Sequence, residues 1–285
     1  MLRRQVLATV PAAAAAALAA FCRPAHAAKG TVRIVYVEWA DAIVATNILS
    51  AALKQAGYDT RLTPVSGAAM WEAVASGDAD CMVAAWLPAT HAAYYAKLKN
   101  KVDVLGPNIE GAKIGWVVPD YVTVESIADI KANASMFGGK IIGIDPGAGL
   151  MRASEKAMKE YDLAPMQLVD GSDATMVAAL KDAISRKQPV AVTGWTPHWM
   201  WAAFKLKYLA DPKGVFGGDE TVNNVARKGL AKDMPEVHAI LTRFKLSLPE
   251  EQGLMMQNQA SGIDPAKTAA DWVSQHPDVV KSWMA

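Results

Sequence analysis

Three tryptophans stand where apolar runs stop: Trp39 in IVYVEWAD (Ile34 to Asp41), Trp86 in VAAWLPATH (Val83 to His91) and Trp195 in VTGWTPHWM (Val192 to Met200). The last two share a W-x-P motif, and a histidine follows each of them. An indole is a large apolar group, so one tryptophan at a strand end reads first as core packing. Three at equivalent positions suggest a further use. Aromatic faces gathered round a small space attract a methylated ammonium, which is positive but has no N–H for side chains to bond. Each face contributes roughly 0.5–2 kcal/mol to such a cation. A carboxylate cage would attract it harder but is costly to bury unpaired. Sugar stacking is the competing use of the rings, although these strand ends are poor in the polar side chains that sugars need. Trp71, Trp272 and Trp283 fall within helical patterns and read as packing, as does Trp116 near a chain crossing. Trp199 and Trp201 receive no role.

A second pole is marked by IDPGAGLM (Ile144 to Met151), where a strand ends in glycines and a helix begins near Leu150. The N–H groups of Gly149 and Leu150 then point outward and form an anion site. A glycine used only for a tight turn is the alternative. The stretch lacks the G-x-G-x-x-G spacing of a dinucleotide fingerprint. His91, at the start of THAAYYAKLKN, lies by the Trp86 strand end, where it is either a ligand donor or a structural residue. Asp41, two residues after Trp39, reads as a helix cap.

These residues need strands and helices to position them. TVRIVYVEW alternates and is rich in β-branched residues, which predicts a strand. Asp41 then opens a helix through ATNILSAALKQAG, ended by Gly57. YDTRLTPV and CMVAAW predict strands, with helices at AAMWEAVASG and THAAYYAKLKN. The pattern restarts at KIGWVVP and runs through KIIGID, a helix from Gly149, MQLVD, a helix from Asp173, and PVAVTGW. TVNNVARKG predicts one more strand, and three helices follow it. The α/β rhythm predicts two lobes, each on its own parallel-dominated sheet, with a hinge between them. Lobe I is expected at residues 28–116 plus 216–285 and lobe II at 117–215. In open parallel sheets ligands bind outside the C-terminal strand ends, where all three tryptophans fall.

Residues 1–27 read as a signal peptide: a basic MLRRQ, an alanine-rich apolar stretch, and a small-x-small site at Ala25-His26-Ala27. Twin-arginine and general export both remain open for it. The rest carries 26 Lys and Arg against 28 Asp and Glu, which offers nothing to nucleic acid or an anionic membrane. Only Cys81 remains, so no internal disulfide is expected. No G-x-S-x-G, H-E-x-x-H or phosphate loop occurs, and His91, His198, His238 and His276 make no convincing metal site. The expectation is a periplasmic, monomeric binding protein that is not an enzyme and carries no cofactor or metal.

TVRIVYVEWADAIVATN, MWEAVASGDAD, MVAAWLPATH, LGPNIEGAKIGWVVP, GIDPGAG, VTGWTPHWM and VARKGLAKDMPE together resemble the glycine betaine-binding proteins of osmoprotectant ABC transporters. The resemblance runs from about Val32 to Leu246 and more loosely beyond. It implies a two-lobed type II periplasmic-binding-protein fold that closes on its ligand, and a membrane permease as partner. It implies a prism of Trp39, Trp86 and Trp195 round a trimethylammonium group. The ligand carboxylate falls to His91 and the backbone amides of Gly149 and Leu150. Glycine betaine or a relative such as proline betaine or carnitine is the implied ligand. Related choline-binding proteins use an acid two residues after the first cage tryptophan, where this chain has Asp41. They lack the histidine after W-x-P, which this chain has as His91. A choline-binding transport protein, or a sensor presenting its ligand to a receptor, is the alternative.

Overall fold

The computed structural model describes residues 28–164, 166–260 and 262–285, so the signal peptide expected at 1–27 lies outside the described residues. The first half of the chain forms β1 (Thr31–Tyr36), α1 (Ala40–Gln55), β2 (Asp59–Pro64), α2 (Gly67–Ser76), β3 (Cys81–Leu87), α3 (Ala92–Leu98) and β4 (Val102–Pro119). After two short 3-10 turns come β5 (Lys140–Ile142), α4 (Gly149–Glu160), β6 (Gln167–Val169), α5 (Asp173–Ser185), β7 (Val192–Thr196), α6 (Met200–Ala203) and β8 (Leu206–Tyr208). The chain returns through β9 (Glu220–Arg227) and ends in α7 (Leu230–Asp233), α8 (Pro235–Arg243), α9 (Leu248–Gln257), α10 (Pro265–Gln275) and α11 (Pro277–Met284).

All nine strands join one sheet in the order β2-β1-β3-β9-β4-β7-β5-β6, with β8 on β4. This corrects the expectation of two separate, parallel-dominated sheets. Parallel pairing is confined to the flanks, where β1 meets β2 and β3, and β5 meets β6 and β7. The centre is antiparallel: β9 runs against β3 and β4, and β4 runs against β7 and β8.

The physical reason is the length of β4, 18 residues. Val102 to Ala112 pairs with β9, while Lys113 to Pro119 pairs with β7 and β8, so one strand serves both halves. The sequence hides that length because Gly106, Pro107 and Gly111 look like breaks. Instead they sit where the register against β9 shifts, with φ of 118° at Gly106 and 74° at Gly111. Bulges absorb one residue and bend a strand without ending it.

Helices cover the sheet as their apolar stripes dictate. α1 buries Val44, Ile48, Leu49 and Leu53 on one side. β3 is buried along nearly its whole length, which suits its run of small and apolar residues. α1 begins one residue earlier than its expected cap. Trp39 occupies the cap position and Asp41 lies buried in the first turn without a capping bond.

Candidate ligand-binding site

Trp39 follows β1, Trp86 and Trp195 are the penultimate residues of β3 and β7, and all three indoles are at least nine-tenths buried. They wall one cavity, together with Ile114 and Ile144. Thr90, His91, Ala148, Gly149 and Leu150 complete its lining. Thus the six residues singled out at the two poles share one cavity, while Asp41 is set one layer behind it.

Two of the indoles are held by carboxylates. Trp39 Nε1 donates to Asp145 Oδ2 at 2.9 Å, and Trp195 Nε1 donates to Asp41 Oδ1 at 3.0 Å. Hydrogen bonds to a charged acceptor contribute roughly 1.5–3 kcal/mol, and each of these also fixes the plane of a ring. Burial pushes the Asp41 carboxyl up to about 6, with the nearby charge of Asp173 adding to it and His198 and the Trp195 N–H opposing it. Behind it, Glu251 is fully buried and raised well above the usual carboxylate range by burial and by Asp41.

His91 is built to be a donor. Its Nδ1 faces two N–H groups, Trp71 Nε1 at 3.2 Å and the Trp86 backbone at 3.1 Å. Nδ1 must therefore carry the lone pair, which places the proton on Nε2. Nε2 is buried and has no protein partner. Burial, and then the charge of Arg152, lowers the ring to about 3, so it is neutral near neutral pH. The loop that carries it is tied at both ends. His91 N donates back to Trp86 O at 2.9 Å, and Glu220 accepts from the Ala89 and Thr90 amides at 2.6 Å each. The prolyl peptide is cis after both Leu87 and Thr196.

Gly149 opens α4, where the first backbone N–H groups have no helical acceptor. A Cβ on Gly149 would lie 2.2 Å from Thr90 O, so only glycine lets α4 approach the His91 loop this closely. Chemically, the cavity combines three indoles with N–H donors in one lining. No metal-holding cluster of three His, Cys, Asp or Glu occurs among the described residues.

Several supporting residues escape a reading of the sequence. Trp71, which reads as packing, fixes the His91 tautomer. Asp145 and Glu220 carry no local signature beyond standing beside a motif. Asp173 Oδ2 accepts from Ala40 N at 2.9 Å while its Oδ1 meets His198 Nε2 at 3.0 Å. The nearest signal is the short strand end preceding Asp173, which places an acid on the cleft side.

A concave, aromatic-walled cavity with a few N–H donors is the kind of site that holds a small solute. The chain matches, over residues 30–275, the family described as the substrate binding domain of the ABC-type glycine betaine transport system, and it belongs to that family. It is 41% identical over 145 residues to the glycine betaine/carnitine transport binding protein GbuC of Listeria monocytogenes. That match covers 50% of this chain and 48% of the relative, so it spans about half of that protein's length. The fold is similar to lactococcal OpuAC in its closed-liganded conformation with glycine betaine, at TM-score 0.85 and 41% identity, covering 90% of this chain and 100% of the other. It is also similar to an ABC-transporter choline binding protein in complex with choline, at TM-score 0.83 and 29% identity, covering 89% and 91%. As a transport substrate-binding protein the chain is not an enzyme. An extracytoplasmic location and a membrane permease partner fit the family.

Proposed function

We propose that this chain captures glycine betaine, or a related quaternary ammonium carboxylate such as proline betaine or carnitine, and hands it to the permease of an ABC importer from the periplasm. Trp39, Trp86 and Trp195 receive the methylated ammonium, and His91 Nε2 with the Gly149 and Leu150 amides receives the carboxylate. The observation that carries this reading is the pairing of three indoles with a buried, partnerless histidine N–H across one small cavity. Asp41 is not part of the cavity lining, which argues against its serving as the hydroxyl acceptor a choline site needs.

The lobes would be residues 28–116 plus 216–285 and residues 117–215, turning about the β4 and β9 crossing. Trp39 to Asp145, Trp195 to Asp41 and Ala40 to Asp173 all join one proposed lobe to the other. A ligand touching both lobes favours the closed form and shifts the population toward it.

Calorimetry of residues 28–285 against glycine betaine, proline betaine, carnitine and choline tests the reading. Betaines should bind, and Trp39→Ala, Trp86→Ala or Trp195→Ala should each cost about 1–3 kcal/mol. Trp272→Phe, packed between His276 and Trp283, should bind as wild type. Silence of all three cage variants would falsify the assignment.

A further inference from the structure

The fourth residue of α4, Arg152, stands against the helix dipole, because a cation in the first turn is unfavourable. Its guanidinium crosses the cleft to the opposite loop. Nη1 donates to Tyr94 Oη and to Gly147 O at 3.3 Å, and Nη2 donates to Thr90 O at 3.4 Å. It also lies 4.1 Å over the Tyr94 ring, and Tyr94 in turn meets the His91 ring with centroids 5.6 Å apart. Every one of these acceptors is neutral. Among the described residues, no carboxylate oxygen lies within 4.0 Å of it. A guanidinium keeps its proton, so a half-buried positive charge with no direct ion pair stands beside Thr90, on whose amide the Glu220 carboxylate is held instead. The acids Asp145 and Asp41 are engaged elsewhere, each accepting from an indole N–H.

We infer that Arg152 is a specificity-determining residue, whose charge makes this end of the cavity prefer a carboxylate to a hydroxyl. The ligand class it selects is a zwitterion with a methylated cation at one end and an anion at the other. The inference rests on the proposed betaine-binding role and adds to it a residue that does not line the cavity. Its action is through space. An unpaired, partly desolvated cation gains from an anion brought near it, and a neutral alcohol supplies no such gain. The bonds to Thr90 and Gly147 keep the charge aimed at that end when the cleft is closed.

The test compares wild type with Arg152→Met, which keeps the length and loses the charge, and Arg152→Lys, which keeps the charge. Affinities for glycine betaine and choline are read by calorimetry, with competition for the weaker ligand, and thermal melts check that each variant folds. Arg152→Met should weaken glycine betaine about tenfold, as expected for one charge acting through a screened interior, and leave choline nearly unchanged. Arg152→Lys should restore most of the preference. Equal losses for both ligands, or a lysine variant no better than methionine, would overturn this proposal and leave the betaine-binding role standing. A folded wild type that binds neither ligand would overturn both.

Discussion

After Trp86 the chain makes five steps before reaching its histidine, and after Trp195 it makes three. Both stretches continue W-x-P, both prolyl bonds are cis, and both indoles are almost fully buried. The longer stretch carries His91 round to the cavity, where Nδ1 is held by two N–H groups and Nε2 is left for something else. The shorter one folds His198 back beneath Trp195, edge-on with centroids 4.6 Å apart. There Nδ1 accepts from Met200 N at 3.0 Å and Nε2 meets Asp173. A two-residue difference in spacing separates a histidine that can meet a ligand from one that supports the wall a ligand would touch.

The sharpest way to break this contrast is to delete each ring. If His91 holds the carboxylate as proposed, His91→Ala removes a donor to a charged acceptor and should weaken glycine betaine by about 1.5–3 kcal/mol, roughly ten- to a hundredfold. Choline, with no carboxylate, should change far less. His198→Ala should instead reduce the affinity for both ligands by a similar factor, because it acts through Trp195. Parallel calorimetric titrations decide it, and a His198→Ala protein with a selectively narrowed betaine preference would reverse the roles of the two histidines.

Acid offers a second comparison. The His91 ring is held down to about 3 by burial and Arg152, whereas an unfolded histidine titrates near 6.5. Between those values the unfolded chain binds the extra proton, so this contribution to stability is complete above pH 6.5 and is lost as pH falls towards 3. The slope is about 1.4 kcal/mol per pH unit. Denaturant melts of wild type and His91→Gln across pH 4–7 should differ by that slope, and identical curves would count against a neutral, buried His91.

A smaller effect should follow from Trp71→Phe. The ring survives but one of the two donors to His91 Nδ1 is gone, a loss of about 1 kcal/mol for a bond between neutral groups. Betaine affinity should fall several-fold, and an unchanged affinity would mean that the Trp86 amide alone orients His91. Smallest of all is Asp41→Asn. Its side-chain carbonyl can still accept the Trp195 N–H, so betaine binding should stay within about 0.5 kcal/mol. Stability should rise above pH 6, where the wild-type carboxyl is ionised while buried. Abolished binding would show that the charge of Asp41 is needed by the ligand.

The sequence made the poles of the cavity visible because each lies in a short local pattern: an apolar run, an indole, a proline, or glycines before a helix. Its blind spots are long-range. Trp71 looks like any helical tryptophan until α2 is set against the His91 loop, and Glu220 looks like the end of a glycine-rich connection until β9 brings it under Thr90. The single sheet was hidden for a similar reason. Local alternation predicts that Thr221 to Arg227 is a strand but says nothing of its direction, and Gly106 with Pro107 splits β4 on paper where bulges join it in space.

That shared spine has a consequence for biosynthesis. β9 fills the slot between β3 and β4, pairing Cys81 with Ala226 and Val102 with Arg227. Translation delivers the occupant of that slot long after its two sides. Until then the nascent polypeptide displays two unsatisfied strand edges, the kind of surface that recruits other extended chains. The molecule's exposure to aggregation should therefore peak before Glu220 is made, and fragments truncated ahead of β9 should be the least soluble pieces of the protein.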